Sequence, residues 1–401
     1  MNRPEVLIVG GGFAGLACAN SLDAGRFAVS LVDARRAFEF LPNIHELLSA
    51  VKRPADLRLP LQEAMQAQGH RFVHGRVSSL DPASRQIRVG RRRITADYLV
   101  LAPGAVDADY GIEGVRQHSL GFKSVDELRA IRRRLQAMAG GPASRVVIIG
   151  GGLEGVEGLG EILRAYEGRL RSVVLVEAQQ RLLPGNRPGV HKHLARLCAQ
   201  HDVTLHLGDP VRRITAKTVL LTSGQRLRSD ATIWTGGPAP PPLLAAAGLA
   251  REGEWAPVKA TLEARGFPRV FVAGDASAPP APLRKQAYHA IDMGRSVAAN
   301  ISRHAQGERL RRFRPAGKPT LLSFGDIDTL LLTERLGLAG PALAAGKEAV
   351  FATVMAGLDR RDARRRGGAV LERSLRASQR LLWPSIRDLG KLRRGTRLKT
   401  L

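Results

Sequence analysis

Glu5-Val-Leu-Ile-Val-Gly10-Gly-Gly12-Phe-Ala-Gly15-Leu reads as a short apolar strand, a glycine turn and the start of a helix that continues to Leu22. A second strand, Ala28 to Val32, ends in Asp33. Each part of this unit has a mechanical reason. Gly10 permits the tight turn, Gly12 lets backbone approach a pyrophosphate, and Gly15 lets helix and strand pack closely. The start of the helix favours negative charge through its free N–H groups and dipole. Asp33, at the tip of the second strand, is placed to accept hydrogen bonds from a ribose diol.

The unit occurs twice. Arg145-Val-Val-Ile-Ile-Gly150-Gly-Gly152-Leu-Glu154-Gly155-Val-Glu157 is again strand, glycine turn and helix start, and its partner strand, Ser172 to Val176, ends in Glu177. A carboxylate in that place hydrogen-bonds a ribose 2′-hydroxyl and repels a 2′-phosphate, so NADH is expected over NADPH. Two complete nucleotide folds in one chain imply two nucleotides bound together. The economical pair for electron transfer is a flavin dinucleotide and a nicotinamide dinucleotide. Pro268-Arg-Val-Phe-Val-Ala-Gly274-Asp275 is a further short apolar strand ending in Gly-Asp; it resembles the strand that in two-dinucleotide flavoproteins returns to the first domain, which implies that the flavin belongs to the first fold.

Length and composition agree with this frame. The chain has 401 residues, 44% of them hydrophobic, which predicts two or three domains with sizeable cores. Its only two cysteines, Cys18 and Cys198, form no CxxC pair and are expected to be small core residues, so dithiol chemistry is excluded. The start of the chain lacks a secretory signal pattern, and no apolar run approaches the roughly 20 residues of a spanning helix. A cytoplasmic location is expected. The net charge is +26, and 22 Lys plus Arg stand against 9 Asp plus Glu from Ser302 to Leu401. So basic a chain raises nucleic acid as a partner. With 4% aromatic residues and no zinc-finger or RNA-recognition pattern, no nucleic acid partner is expected.

Further stretches carry a family resemblance. They are Phe40-Leu-Pro42-Asn-Ile-His45-Glu46, Asp97-Tyr-Leu-Val-Leu-Ala-Pro-Gly104, the run from Tyr110-Gly-Ile to Asp126-Glu127, and Thr232-Ile-Trp-Thr-Gly-Gly237. With the glycine turns they resemble the two-dinucleotide-binding flavoproteins, and within them the type II NADH dehydrogenases. The resemblance covers roughly residues 5 to 315. It implies FAD and NADH as cofactors and a non-proton-pumping transfer of electrons from NADH through the flavin to a membrane quinone. It places Pro42, Gly104, Gly274 and Asp275 with Gly10, Gly12, Gly15 and Asp33 around FAD. Gly150, Gly152, Gly155, Glu177 and Gly237 fall around NADH. Glu157 matches the family carboxylate near flavin and nicotinamide, although a first-turn glutamate complementing the helix dipole has the same sequence.

The chain departs from the family pattern in two places. Glu154 stands where a small polar residue is usual, and a negative charge there is expected to weaken NADH binding. The family's A-Q-x-x-x-Q-Q-G segment reads Ala287-Tyr288-His289-Ala290-Ile291-Asp292-Met293-Gly294. Tyr288 is therefore expected to donate to the quinone and Met293 to supply an adaptable apolar wall. Gln286 could take the role only with a change of register. His289 reads as a packing or surface residue.

After Ile301 the composition turns Arg-rich. The apolar span from Thr320 to Leu358 is interrupted by Gly337, Gly340, Pro341 and Gly346 and cannot be one long helix. From Ala369 to Arg394, Leu371, Leu375, Leu382, Ile386 and Leu389 share one helical face, with arginines opposite and a kink expected at Pro384. Such a segment suits an anionic membrane surface, on the inner face of the cell membrane, or packing on its own domain or on a second subunit as a homodimer.

The expected fold is α/β. An FAD-binding domain is formed by residues 1–115 and 238–315, an NADH-binding domain by 116–237, and a basic C-terminal membrane-association or interface region by 316–401. Two rival readings remain: a soluble NADH-dependent flavin reductase with a protein or other acceptor, and a non-catalytic FAD-binding redox sensor.

Overall fold

The computed structural model describes residues 3–334, 336–361 and 398–401. The apolar runs of both glycine units become strands buried on both faces, as parallel sheets covered by helices require. The first sheet has five parallel strands in the order Val270–Val272, Tyr98–Leu101, Glu5–Val9, Ala28–Asp33, Arg71–His74. The second has four parallel strands in the order Val203–Leu207, Ser172–Glu177, Arg145–Ile149, Ala231–Trp234. The fold is therefore α/β with two doubly wound units, as the repeated glycine turns predict.

The duplication extends beyond the sheets. In each unit a three-stranded antiparallel meander precedes the strand that pairs with the glycine-turn strand, Tyr98–Leu101 or Ala231–Trp234: Val77–Asp81, Gln86–Val89 and Arg92–Thr95 in the first, Val211–Ile214, Thr218–Leu221 and Arg226–Arg228 in the second. The chain passes between the two sheets at Val106–Asp107 and returns at Pro238–Ala239, and the two passages pair antiparallel. Trp234 Nε1 donates to the carbonyl of Ala108 at 2.8 Å and the N–H of Ala108 donates to Gly237, which fastens this ribbon.

The span from Thr320 to Leu358 is not one helix. Thr320–Phe324, Asp328–Leu332 and Gly337–Ala339 form an antiparallel sheet, which Lys399–Thr400 joins as a fourth strand, and Leu343–Leu358 is a helix. Gly346 does not interrupt that helix: it lies on its exposed side, where a glycine costs only about 1 kcal/mol. Among the described residues no helix is long and apolar enough to cross a membrane. The amphipathic segment from Ala369 to Arg394 lies outside the described residues.

Cys18 and Cys198 are free and buried, on the helices Phe13–Ala19 and Pro188–Gln200, and burial pushes both thiols up to about 12. They are core residues and inert as nucleophiles.

Candidate active site

The two glycine turns have the same geometry. Gly10 and Gly150 have φ of +103° and +110°, a region that L side chains avoid, and their N–H groups donate to Val32 and Val176, each at 2.8 Å. A Cβ on Gly15 or Gly155 would lie 1.8 Å from the carbonyl oxygen of Gly10 or Gly150, so helix and turn can touch only without a side chain. A Cβ on Gly12 or Gly152 would meet nothing within 4 Å. These two positions form an open seat beside the first turn of a helix, which fits the pyrophosphate of a dinucleotide.

Asp33 and Glu177 occupy equivalent places. Asp33 accepts from the N–H of Gly11 at 2.6 Å and of Arg35 at 2.7 Å, and Glu177 accepts from Gly151 at 2.6 Å and Gln179 at 2.8 Å. Each carboxylate thus holds its glycine turn against its strand and still has lone pairs for a ribose diol. The other residues assigned to cofactors stand nearby in the topology. Gly104 follows Tyr98–Leu101, Gly274 and Asp275 follow Val270–Val272, and Gly237 follows Ala231–Trp234. All are at carboxyl ends of parallel strands, where open α/β sheets bind ligands. Pro42 lies in the first turn of the short helix Leu41–Leu47. Burial raises the Asp275 carboxyl, with Lys285 and Lys123 pulling against it.

Glu157 sits one turn into the helix Leu153–Tyr166 and points into a buried polar cluster. Lys347 Nζ, from the helix Leu343–Leu358, pairs with Glu157 Oε1. The N–H of Ser323 donates to the same oxygen at 3.1 Å, and His45 Nδ1 lies 3.5 Å from Oε2. Lys347 is also 3.2 Å from His45 Nε2. An ammonium can only donate, so Nε2 accepts and the ring proton belongs on Nδ1, facing Glu157. Burial, then Lys347 and Lys52, hold His45 well below its usual range, so the imidazole is neutral. Burial raises Glu157 and Lys347 opposes it. The first-turn reading of Glu157 as a mere dipole complement is therefore incomplete.

Around this centre lie further buried groups. Lys52 is 2.7 Å from Glu348 and 3.3 Å from Glu46, and Asn43 Nδ2 donates to Glu46 Oε1 at 2.9 Å. Burial lowers the Lys52 ammonium, yet Glu46 and Glu348 offset this and leave it raised. Glu161, one turn beyond Glu157, accepts from Ser49 and is pushed up to about 7 by burial. Phe351 stacks edge-on against Phe40 at 4.9 Å and carries Lys52 over its ring at 4.1 Å. Lys347, Ser323, Glu348 and Glu161 had no role in the sequence reading. The signal that could have found Lys347 and Glu348 is this pair of charges inside an otherwise apolar stretch.

The segment expected to face the acceptor is the start of the helix Ala287–Ala305. Tyr288 is half-buried there with Lys318 5.9 Å from its ring centre. Among the described residues no hydrogen bond or ion pair joins it to Glu157. Met293 is not a free apolar wall. It is 3% exposed, and its sulfur lies 3.2 Å from the N–H of Gly274 and 3.5 Å from Ser277 Oγ, because Gly294 lets this helix pack tightly on Phe13–Ala19. Asp292 pairs with Lys318 at 3.1 Å. Gln286 precedes the helix and donates to Thr320 Oγ1 at 3.1 Å, with no shift of register. His289 is buried with Nδ1 unpartnered among the described residues, and burial lowers it.

Two parallel sheets, each with a glycine turn and a strand-tip carboxylate, define a protein of the two-dinucleotide class. The sequence pattern of the pyridine nucleotide-disulphide oxidoreductases matches residues 4–294, and the chain belongs to that family. It is 24% identical over 380 residues to the type II NADH:quinone oxidoreductase of Staphylococcus aureus strain MSSA476, covering 87% of this chain and 93% of that one. Its fold is similar to NDH2 from Plasmodium falciparum, solved in complex with NADH, with a TM-score of 0.82, 14% identity and coverage of 94% and 98%. It is also similar to the sulfide:quinone oxidoreductase of Aquifex aeolicus, with a TM-score of 0.80, 19% identity and coverage of 90% and 92%. The resemblance read from the sequence agrees with these comparisons.

Proposed function

We propose that this protein is an FAD-dependent oxidoreductase that takes electrons from NADH and delivers them through the flavin to a quinone. The observation that carries the reading is the matched pair of glycine turns, with the buried Glu157 cluster following the second turn. Bound FAD supplies the chemistry of accepting hydride from NADH and releasing electrons to the acceptor. The chain's own residues orient the two dinucleotides and manage protons. Gly12 and Gly152 seat the pyrophosphates, and Asp33 and Glu177 accept from the riboses. Glu157, with Lys347 donating to it and neutral His45 beside it, stands in a buried pocket where it can take up or release a proton. The absence of a second redox centre made of cysteines favours quinone over disulfide acceptors, since the sequence has only two cysteines and both are buried.

In this reading the flavin site is built by residues 1–115 and 238–315 and the NADH site by 116–237. Catalysis uses Glu157 on the flavin side and Tyr288 towards the acceptor. A quinone dissolves in lipid, so the protein works at the inner face of the cell membrane, bound peripherally by its basic C-terminal region. A second copy of the chain is the competing partner for that region. Flotation with anionic vesicles separates the two, because a dimer contact alone leaves the protein at the bottom of the gradient. The function is tested by steady-state oxidation of NADH with a short-chain quinone on protein loaded with FAD. NADH oxidation that requires quinone supports it. Oxidation that responds only to a ferredoxin-like protein selects the soluble reductase instead.

A further inference from the structure

Lys123 precedes the helix Val125–Met138, and its ammonium pairs with Glu154 in the first turn of the helix Leu153–Tyr166. The N–H of Lys123 donates to Glu127 Oε2 at 2.7 Å and Ser124 Oγ donates to the same oxygen at 2.9 Å, which fixes the base of the side chain. The pair is partly enclosed, with side-chain exposures of 19% for Lys123 and 34% for Glu154, so water screens it incompletely. The same ammonium acts on the carboxyls of Asp107, in the ribbon between the sheets, and of Asp275, after the Gly274 turn. It therefore stands where the two glycine units meet. Burial raises the Asp107 carboxyl to about 6, with Lys123 pulling it down and Glu127 and Glu154 adding smaller pushes upward.

Glu154 lies two residues beyond Gly152, the open seat of the second turn. A carboxylate in a first turn occupies the same favourable potential that a pyrophosphate needs, and an unpaired one also repels it. We propose that Lys123 makes the second glycine turn usable by a dinucleotide, by neutralising Glu154 and tethering it away from the pyrophosphate seat. Lys123 is thus a positioning residue that acts through Glu154, and the inference rests on the assignment of this turn to NADH.

The test is a double-mutant cycle read by calorimetric titration of NAD+ into the FAD-loaded protein, where no turnover is needed. K123M is expected to weaken NAD+ binding about tenfold, a loss of about 1.4 kcal/mol. E154Q is expected to bind at least as tightly as the unaltered protein, and K123M/E154Q to return to within about twofold of E154Q. In steady state, K123M raises the KM for NADH and leaves reoxidation of the flavin by quinone unchanged, whereas a merely structural role moves both. Binding by K123M equal to that of the unaltered protein overturns the proposal, as does a double mutant no better than K123M. Should K123M fail to fold, E154Q alone decides, because weaker binding by E154Q means that the pair holds the site together and cancels no unwanted charge. Failure of the unaltered protein to bind NAD+ overturns the NADH assignment and this inference with it. Normal binding with a flat cycle overturns only the role of Lys123.

Discussion

Lys347 pairs with Glu157 across 190 residues of sequence, and the pair joins the helix Leu343–Leu358 to the helix of the second glycine turn. The contact is buried on both sides, and Ser323 and His45 close it from two further elements. Residues after 316 therefore complete the polar pocket on which the proposed chemistry depends.

Removing one partner of a buried pair leaves a charge without compensation, at a cost of about 3–5 kcal/mol. K347M is expected to lose about 3 kcal/mol in denaturant unfolding of the flavin-loaded protein, since protonation of Glu157 relieves part of the cost. K347M/E157Q should recover most of that loss. An unchanged midpoint for K347M contradicts the assignment of the pair as buried and charged.

Glu161 gives a pH signature. Burial raises its carboxyl from the ordinary 4.5 to about 7, with Arg164 and Ser49 pulling down and Glu46 pushing up. The folded protein then keeps a proton that the unfolded chain releases, so stability falls as pH rises from about 4.5 to about 7. E161Q removes that slope. Relative to the unaltered protein it should gain up to about 3 kcal/mol between pH 4.5 and pH 8, measured by unfolding at both.

Gly152 and Gly155 separate binding from folding. G152A places a methyl group in open space and should alter stability by no more than about 0.5 kcal/mol while weakening NAD+ binding about tenfold. G155A drives a methyl group against the Gly150 carbonyl and should destabilise by about 1–3 kcal/mol. Thermal melts beside NAD+ titrations distinguish the two.

On the acceptor side the packing predicts a division of labour. M293A removes the sulfur that faces the Gly274 N–H and opens a cavity beneath the Gly274–Asp275 turn, so FAD should be lost on gel filtration at a cost of about 2–5 kcal/mol in stability. Y288F should instead raise the KM for quinone several-fold and leave flavin reduction by NADH unchanged. Equal effects of M293A and Y288F on quinone KM alone would contradict the placement of Met293.

The fold was legible because its deciding signals are local. A strand, a glycine turn and a strand-tip carboxylate occupy about thirty residues in each unit, and the structure realises both with the same hydrogen bonds. The site was legible only as far as such local patterns reach. Glu157 follows from its glycine turn, but Lys347 and Ser323 arrive through tertiary packing, and the buried face of Leu343–Leu358 carries Lys347 and Glu348 where periodicity expects apolar residues. Glu154 was visible as an unusual charge, whereas its partner Lys123 lies 31 residues upstream, before another helix. Met293 was placed by alignment at the acceptor, and only the close approach of Gly294 to Ala14 reveals why it turns inward.

The central claim is a passage of electrons from NADH through FAD to quinone. Anaerobic stopped-flow mixing of the FAD-loaded protein with NADH, followed by mixing with a short-chain quinone, tests it most directly. The account predicts rapid bleaching of the flavin absorbance by NADH and rapid recovery on adding quinone. Absence of bleaching, or bleaching that quinone does not reverse, would contradict it.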